Sequence, residues 1–180
     1  MIFRALPLTG AYEITLERRD DARGYFARAY CADEFAAHGL NTEWVQMNIS
    51  MSHARGTMRG LHFQRPPMDE VKLVRCLKGR VLDVIVDLRA GSDSFGRHCS
   101  VTLDAERFNA IYIPAGFAHG FQTLTPDCAL HYMHSQRYAP GAEGGVNPCD
   151  PALGIDWPLP LAEMSARDRA LPDLNDCEPL

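Results

Sequence analysis

Two short segments carry histidines in settings suited to chemistry: Arg59-Gly60-Leu61-His62-Phe63-Gln64 and Pro114-Ala115-Gly116-Phe117-Ala118-His119-Gly120-Phe121, with Lys72 between them. An imidazole can take a proton near neutral pH, and an ammonium can stabilise negative charge, so the set suits an anionic ligand that bears a carbonyl. Short β-branched segments surround both motifs, which predicts that the histidines and the lysine project from the strands of one barrel. Lys72 alternates with Val74 and Cys76 and therefore shares their face. A charge on that face is costly to bury without an anionic partner, which favours a functional role over a structural one. Tyr132 shares a face with Leu130 and His134, a placement that fits either barrel packing or an acid in the pocket. Asp168 stands three residues after Ser165. That spacing fits a capping box as well as a carboxylate partner for histidine, a part that Asp83 could take instead.

The elements that must present these side chains are strands. Tyr12-Glu17 and Tyr25-Tyr30 alternate on either side of Asp20-Gly24, which predicts an opening hairpin. A short helix is expected over Asp33-His38, ended by Gly39, and strand character returns at Trp44-Ser50. Glu70-Leu77 and Arg80-Leu88, separated by Lys78-Gly79, read as a second hairpin. Further strands are expected at Cys99-Leu103, Ala110-Ile113, Gly120-Leu124 and Cys128-Tyr138, and Ser165 is placed to cap a short helix near the C-terminus. Many short strands punctuated by Gly and Pro favour an all-β sandwich or barrel over a βαβ arrangement.

Composition bounds the rest. The 180 residues are 46% hydrophobic and show no compositional break, so a single domain over 1–180 is expected. The net charge is −5 and the 18 Lys and Arg are scattered, which argues against a surface that tracks nucleic acid. No segment approaches the roughly 20 apolar residues of a membrane span, so no membrane partner and a cytoplasmic location are expected. The six cysteines lie far apart without a C-x-x-C pair and read as reduced structural thiols.

Pro114-x-Gly116-x-x-His119 resembles the second half of the signature of the cupins, a jelly-roll family in which a loop delivers a histidine to the barrel mouth. Metal-binding cupins add an H-x-H and a glutamate, because a transition metal needs several converging imidazole and carboxylate ligands. Here that slot reads His62-Phe63-Gln64, and Lys72 would repel a cation, so no metal and no other cofactor is expected.

A longer ordered set extends over nearly the whole chain: Asp21-Ala22-Arg23-Gly24-Tyr25-Phe26, Val45-Gln46-Met47-Asn48-Ile49-Ser50, the Arg59-Gln64 motif, Lys72-Leu73-Val74-Arg75-Cys76, Asp83-Arg89, Ile113-Phe121, Tyr132, Tyr138-Ala139-Pro140, Asp156-Trp157-Pro158 and Ser165-x-x-Asp168. In this set the chain resembles the dTDP-4-dehydrorhamnose 3,5-epimerases, metal-free cupins that invert carbons of nucleotide-linked 4-keto-6-deoxy sugars. The resemblance implies a cupin-type jelly-roll β-barrel with a few short helices. It implies that His62 is the base, oriented by Asp168, that Lys72 lies near the 4-keto oxygen, and that Tyr132 is the acid on the opposite face. It also implies substrate contacts from Arg23, Phe26, Arg28, Gln46, Asn48, Arg59, His119, Glu143 and Arg167, a nucleotide-linked keto sugar as substrate, and a homodimer. Inversion at C3, at C5 or at both fits equally.

Two departures bear on the carrier nucleotide. The family's usual glutamate after R-G-x-F is Arg28 here, and its usual acidic residue in the Q-x-N segment is Met47. Arginine donates hydrogen bonds and cannot accept them. A base rich in acceptors is then expected as readily as thymine, so CDP and GDP stand beside dTDP. Readings of other classes are a sugar-nucleotide-binding cupin without catalysis and a metal-dependent cupin oxygenase.

Overall fold

The computed structural model describes all 180 residues. Thirteen strands run in chain order: β1 (Ile2–Ala5), β2 (Tyr12–Thr15), β3 (Arg18–Asp21), β4 (Gly24–Ala27), β5 (Gln46–Ser52), β6 (Met58–Gln64), β7 (Lys72–Lys78), β8 (Arg80–Asp87), β9 (His98–Asp104), β10 (Asn109–Ile113), β11 (Phe117–Thr123), β12 (Cys128–His134) and β13 (Glu143–Gly145). Two short α-helices, α1 (Ala32–Ala37) and α2 (Ala166–Arg169), complete the set with three 3-10 turns. The strands form a six-stranded sheet ordered β1-β2-β10-β7-β12-β5 and a five-stranded sheet ordered β13-β6-β11-β8-β9, and every pairing within them is antiparallel. This is the expected all-β jelly roll.

Alternation explains the core between the sheets. Val74 and Cys76 of β7, Ile111 and Ile113 of β10 and Leu130 of β12 meet Val81 and Ile85 of β8, Val101 and Leu103 of β9 and Phe117 and Phe121 of β11 in one buried cluster. Burying such side chains stabilises the sandwich by about 1.5–3 kcal/mol each. Polar side chains interrupt the strands at His62 and Gln64 of β6, Lys72 of β7, Asp83 of β8 and His119 of β11.

Two expected hairpins differ from the observed pairing. The opening hairpin is β3 with β4, joined at Asp21-Gly24, whereas Tyr12-Thr15 pairs with β1 and β10 inside the six-stranded sheet. Its residues Arg18–Asp21 are polar and exposed, so hydrophobic alternation could not mark them. β7 and β8 occupy the predicted segments but belong to opposite sheets. Gly79 turns the chain across the sandwich at φ 77°, and a side chain there would meet Thr125 Oγ1 at 2.6 Å and Cys128 Sγ at 2.8 Å. Both strands are apolar on the face toward the same core, a pattern that fits strands of one sheet and strands of opposite sheets alike.

The helix near the C-terminus is present, with Ser165 Oγ accepting from Asp168 N–H at 3.0 Å. All six cysteines are free thiols, and burial raises Cys76 to about 12 and Cys99 to about 11, far from reactive values. No helix is long and apolar enough to cross a membrane.

Candidate active site

A cavity of about 930 Å³ is lined by residues of both sheets. His62 on β6 and His119 on β11 are direct cross-strand partners in the five-stranded sheet. Glycine permits that closeness: a Cβ on Gly60 would stand 2.6 Å from Gly120 Cα and from the His119 carbonyl oxygen, and Gly60 has φ 110°. His119 therefore projects from a strand that begins at Phe117, and the delivering loop expected from the cupin signature ends before it. Facing them from the six-stranded sheet are Lys72 of β7, Tyr132 and His134 of β12, and Asn48 and Ser50 of β5.

His62 Nε2 lies 2.8 Å from Asp168 Oδ1, and Asp168 Oδ2 accepts from the Gly60 N–H at 3.2 Å. Capping and pairing are thus both true of Asp168, because its N–H serves Ser165 while its carboxylate serves His62. Burial pushes Asp168 upward, but the His62 ring, the Gly60 N–H and Ser165 outweigh it and leave the carboxyl below its ordinary value. Burial lowers His62 more than the Asp168 charge raises it. The pair is then an ionised carboxylate and a neutral imidazole, with Nε2–H donated and a lone pair left on Nδ1. Arg167 Nη2 also approaches His62 Nε2, at 3.0 Å, yet two donors cannot share that contact. The Nε2–H is donated to the buried Asp168 carboxylate, since Arg167 is half-exposed and holds both Glu143 oxygens at 2.9 Å.

Asp83, the other carboxylate considered for a dyad, pairs instead with His119, its Oδ2 lying 2.8 Å from Nε2. Its Oδ1 has no partner, and complete burial raises its pKa against the pull of His119 and Lys72. Lys72 Nζ lies 3.2 Å from Glu70 Oε1 and donates to the His62 carbonyl oxygen at 3.4 Å. The Tyr132 hydroxyl lies 3.1 Å from Ser50 Oγ, and burial pushes its pKa well above the usual phenol range, so the phenol is neutral.

Arg59, Asn48, Glu143 and Arg167 also line the cavity. Arg59 is braced by Ser52 Oγ at 3.0 Å and the Met51 carbonyl at 2.9 Å, and Tyr138 donates to Glu143 at 3.0 Å. Gln46 sits at the rim, accepting from Tyr138 N–H at 3.1 Å. Arg23, Phe26 and Arg28 lie outside this chain's cavity, on or just after the exposed β3–β4 hairpin. Arg23 pairs with Asp21 at 2.6 Å, and Arg28 pairs with Glu34 at 2.9 Å. The expectation that Arg28 meets the carrier base in this chain's own cavity is not met, because its guanidinium pairs with Glu34 outside that cavity.

Gln64, in the slot where metal cupins carry a ligand, donates to the Met68 and Arg137 carbonyls and accepts from Ala139 N–H, so it ties two loops together. Glu70 and His134 are cavity residues that the sequence reading did not single out for a role. Both were reachable by alternation, His134 two residues beyond Tyr132 and Glu70 two residues before Lys72.

The family model for dTDP-4-dehydrorhamnose 3,5-epimerase matches residues 5–176. The chain belongs to the dTDP-4-dehydrorhamnose 3,5-epimerase family. Among curated epimerases it is 42% identical to a dTDP-4-dehydrorhamnose 3-epimerase of Streptomyces niveus over 94% of this chain and 82% of that one. It is also 42% identical to a dTDP-4-dehydrorhamnose 3,5-epimerase of Methanothermobacter thermautotrophicus, over 90% of this chain and 88% of the relative. The dTDP-6-deoxy-D-glucose-3,5-epimerase of Legionella pneumophila, solved in complex with dTDP-4-keto-L-rhamnose, superposes with a TM-score of 0.93 at 35% identity, covering 98% of this chain and 94% of that one. Membership makes this protein an isomerase of the epimerase type, and the double and single epimerases lie equally near it in sequence.

Proposed function

We propose that residues 1–180 form one catalytic unit that epimerises a dTDP-linked 4-keto-6-deoxy sugar at C3, C5 or both, within deoxysugar synthesis. The observation that carries this reading is the opposition of His62 and Tyr132 across the cavity, each on its own sheet, with Lys72 beside them. His62 takes the proton from a carbon next to the ketone, and the C–H electrons move into the carbonyl to give an enolate. Lys72 meets the enolate oxygen, a contact worth on the order of a few kcal/mol in a site closed to water. The neutral Tyr132 phenol returns a proton to the opposite face, which inverts the carbon; the phenolate then regains a proton from solvent and the His62 imidazolium gives one up to it. The buried Asp168 holds His62 in the tautomer this requires. Arg59, His119, Glu143 and Arg167 surround the sugar and its phosphates, with Asn48 and Gln46 toward the rim. The dTDP carrier rests on the relatives' substrates.

A homodimer belongs to the same reading. β5 is the edge of the six-stranded sheet and exposes Val45, Met47, Ile49 and Met51 on and beside it, an unpaired edge that a second copy would cover. Arg23, Phe26 and Arg28, turned away from their own cavity, would serve a substrate held by the partner. The cytoplasm, where nucleotide sugars are made, is the proposed location.

Incubation in deuterated water with 4-keto-6-deoxyglucose linked to dTDP, CDP or GDP, read by NMR, tests the function. Exchange at C3, C5 or both with the dTDP sugar is expected. Exchange confined to a CDP or GDP sugar would overturn the carrier, and ligand binding without exchange at any carbon would overturn the epimerase reading.

A further inference from the structure

Glu70 belongs to no strand, yet its side chain is only 9% exposed on the cavity wall just ahead of β7. Its two oxygens serve different partners: Oε1 faces Lys72 Nζ at 3.2 Å, and Oε2 faces His134 Nδ1 at 2.7 Å. Burial works against the charge, but His134 and Lys72 together outweigh it and hold the carboxyl below its ordinary value, so Glu70 is ionised. Lys72 has one other contact, the His62 carbonyl oxygen at 3.4 Å, which lies at the outer limit of a hydrogen bond. An ammonium on a four-carbon stem is aimed poorly by one long contact.

We infer that Glu70 is a positioning residue for Lys72 and that His134 in turn orients Glu70. The imidazole Nδ1 fixes one carboxylate oxygen, which leaves the other pointing at Nζ. Beyond it, His134 Nε2 meets Asn48 Nδ2 at 3.3 Å. The resulting line Lys72, Glu70, His134, Asn48 crosses β7, β12 and β5, which are neighbours in one sheet and so hold their spacing. The carboxylate also offsets part of the ammonium's charge, so the arrangement favours a directed N–H donor over a bare cation. This inference rests on the reading that Lys72 meets the enolate oxygen.

The test compares Glu70→Leu with Glu70→Gln, whose carbonyl can still accept from Nζ while its NH2 donates to Nδ1 of a His134 protonated on Nε2, by steady-state exchange and by crystal structures. Glu70→Leu is expected to lower kcat on the order of tenfold or more with KM within about threefold, since a misaimed donor hurts the enolate more than the bound ketone. Glu70→Gln is expected to recover most of that loss. In crystals, Nζ should leave the His62 carbonyl in the leucine variant and keep its place in the glutamine variant. Should leucine not fold, Glu70→Ser admits water to the ammonium and replaces it in both measurements. Equal impairment of the Gln and Leu variants, or an unmoved Nζ without the carboxylate, would overturn the inference. A parent protein inactive toward every sugar would count against the proposed function, and the crystal comparison would still decide the role of Glu70.

Discussion

Replacing Asp168 by asparagine sets two of its neighbours against each other. One carboxylate oxygen faces His62 Nε2 and the other accepts the Gly60 N–H, so both positions need an acceptor and an amide supplies only one. If the amide oxygen faces His62, the tautomer is kept but the Gly60 N–H loses its partner in a buried place, which costs about 1–3 kcal/mol of stability. If the amide turns, its NH2 donates to Nε2, the ring proton moves to Nδ1 and the lone pair leaves the position the base needs. Either way the charge that would support an imidazolium disappears, and a charge-assisted bond of about 1.5–3 kcal/mol becomes one of about 1 kcal/mol. The lost charge alone lowers kcat by roughly 3- to 30-fold, at about 1.4 kcal/mol per decade, and the fall is greater where the amide turns and the base position loses its lone pair. Proton exchange into a dTDP-linked keto sugar gives kcat and KM, and urea unfolding gives the stability. The expected result is a large loss in kcat, KM within about threefold and a lower urea midpoint. A variant that exchanges within about threefold of the parent would refute the dyad.

Lys72→Met is expected to lower kcat by roughly 10²-fold with KM nearly unchanged, because its charge acts on the enolate; an effect on KM alone would demote it to a binding residue. Tyr132→Phe should retain deuterium incorporation with the original configuration while losing inverted product, as NMR of recovered sugar can show, whereas full inversion would remove its role. Burial keeps His62 deprotonated to lower pH, so the acid limb of kcat/KM should fall below the ordinary histidine value of about 6.5; a limb clearly above it would contradict the neutral base. Asp87 takes hydrogen bonds from Arg89, Ser92 and Ser94, which hold its pKa far below the usual range despite burial. Its stabilisation is fully present above the unfolded carboxyl value of about 3.9 and is lost as pH falls below it. Asp87→Asn should therefore cost roughly 2–4 kcal/mol in urea unfolding at pH 7 and much less near pH 2. An equal loss at both values would refute this.

What the sequence made legible follows from what alternation and spacing encode. Strands such as β7 and β8 show their apolar faces plainly, but the pattern does not say which sheet each joins, and so a hairpin was expected where Gly79 instead carries the chain across the core. Lys72 was legible as a buried charge because it interrupts an apolar face. Its partner Glu70 falls on the same alternating face, but only the fold shows that its two oxygens meet Lys72 and His134. Asp168 could be read as a cap or as a dyad from spacing alone; only the fold brings residues 106 positions apart to 2.8 Å and makes both true. The β3–β4 hairpin carries Arg23 and Phe26 away from their own cavity, which motif order along a chain cannot reveal.

The most direct measurement is solvent deuterium exchange into the dTDP-linked 4-keto-6-deoxy sugar by the parent and by His62→Ala, with dTDP affinity measured alongside. The account predicts deuterium next to the ketone with the parent, none above background with the variant, and dTDP bound by both. Exchange by the variant at the parent's rate would contradict the assignment of His62 as the base.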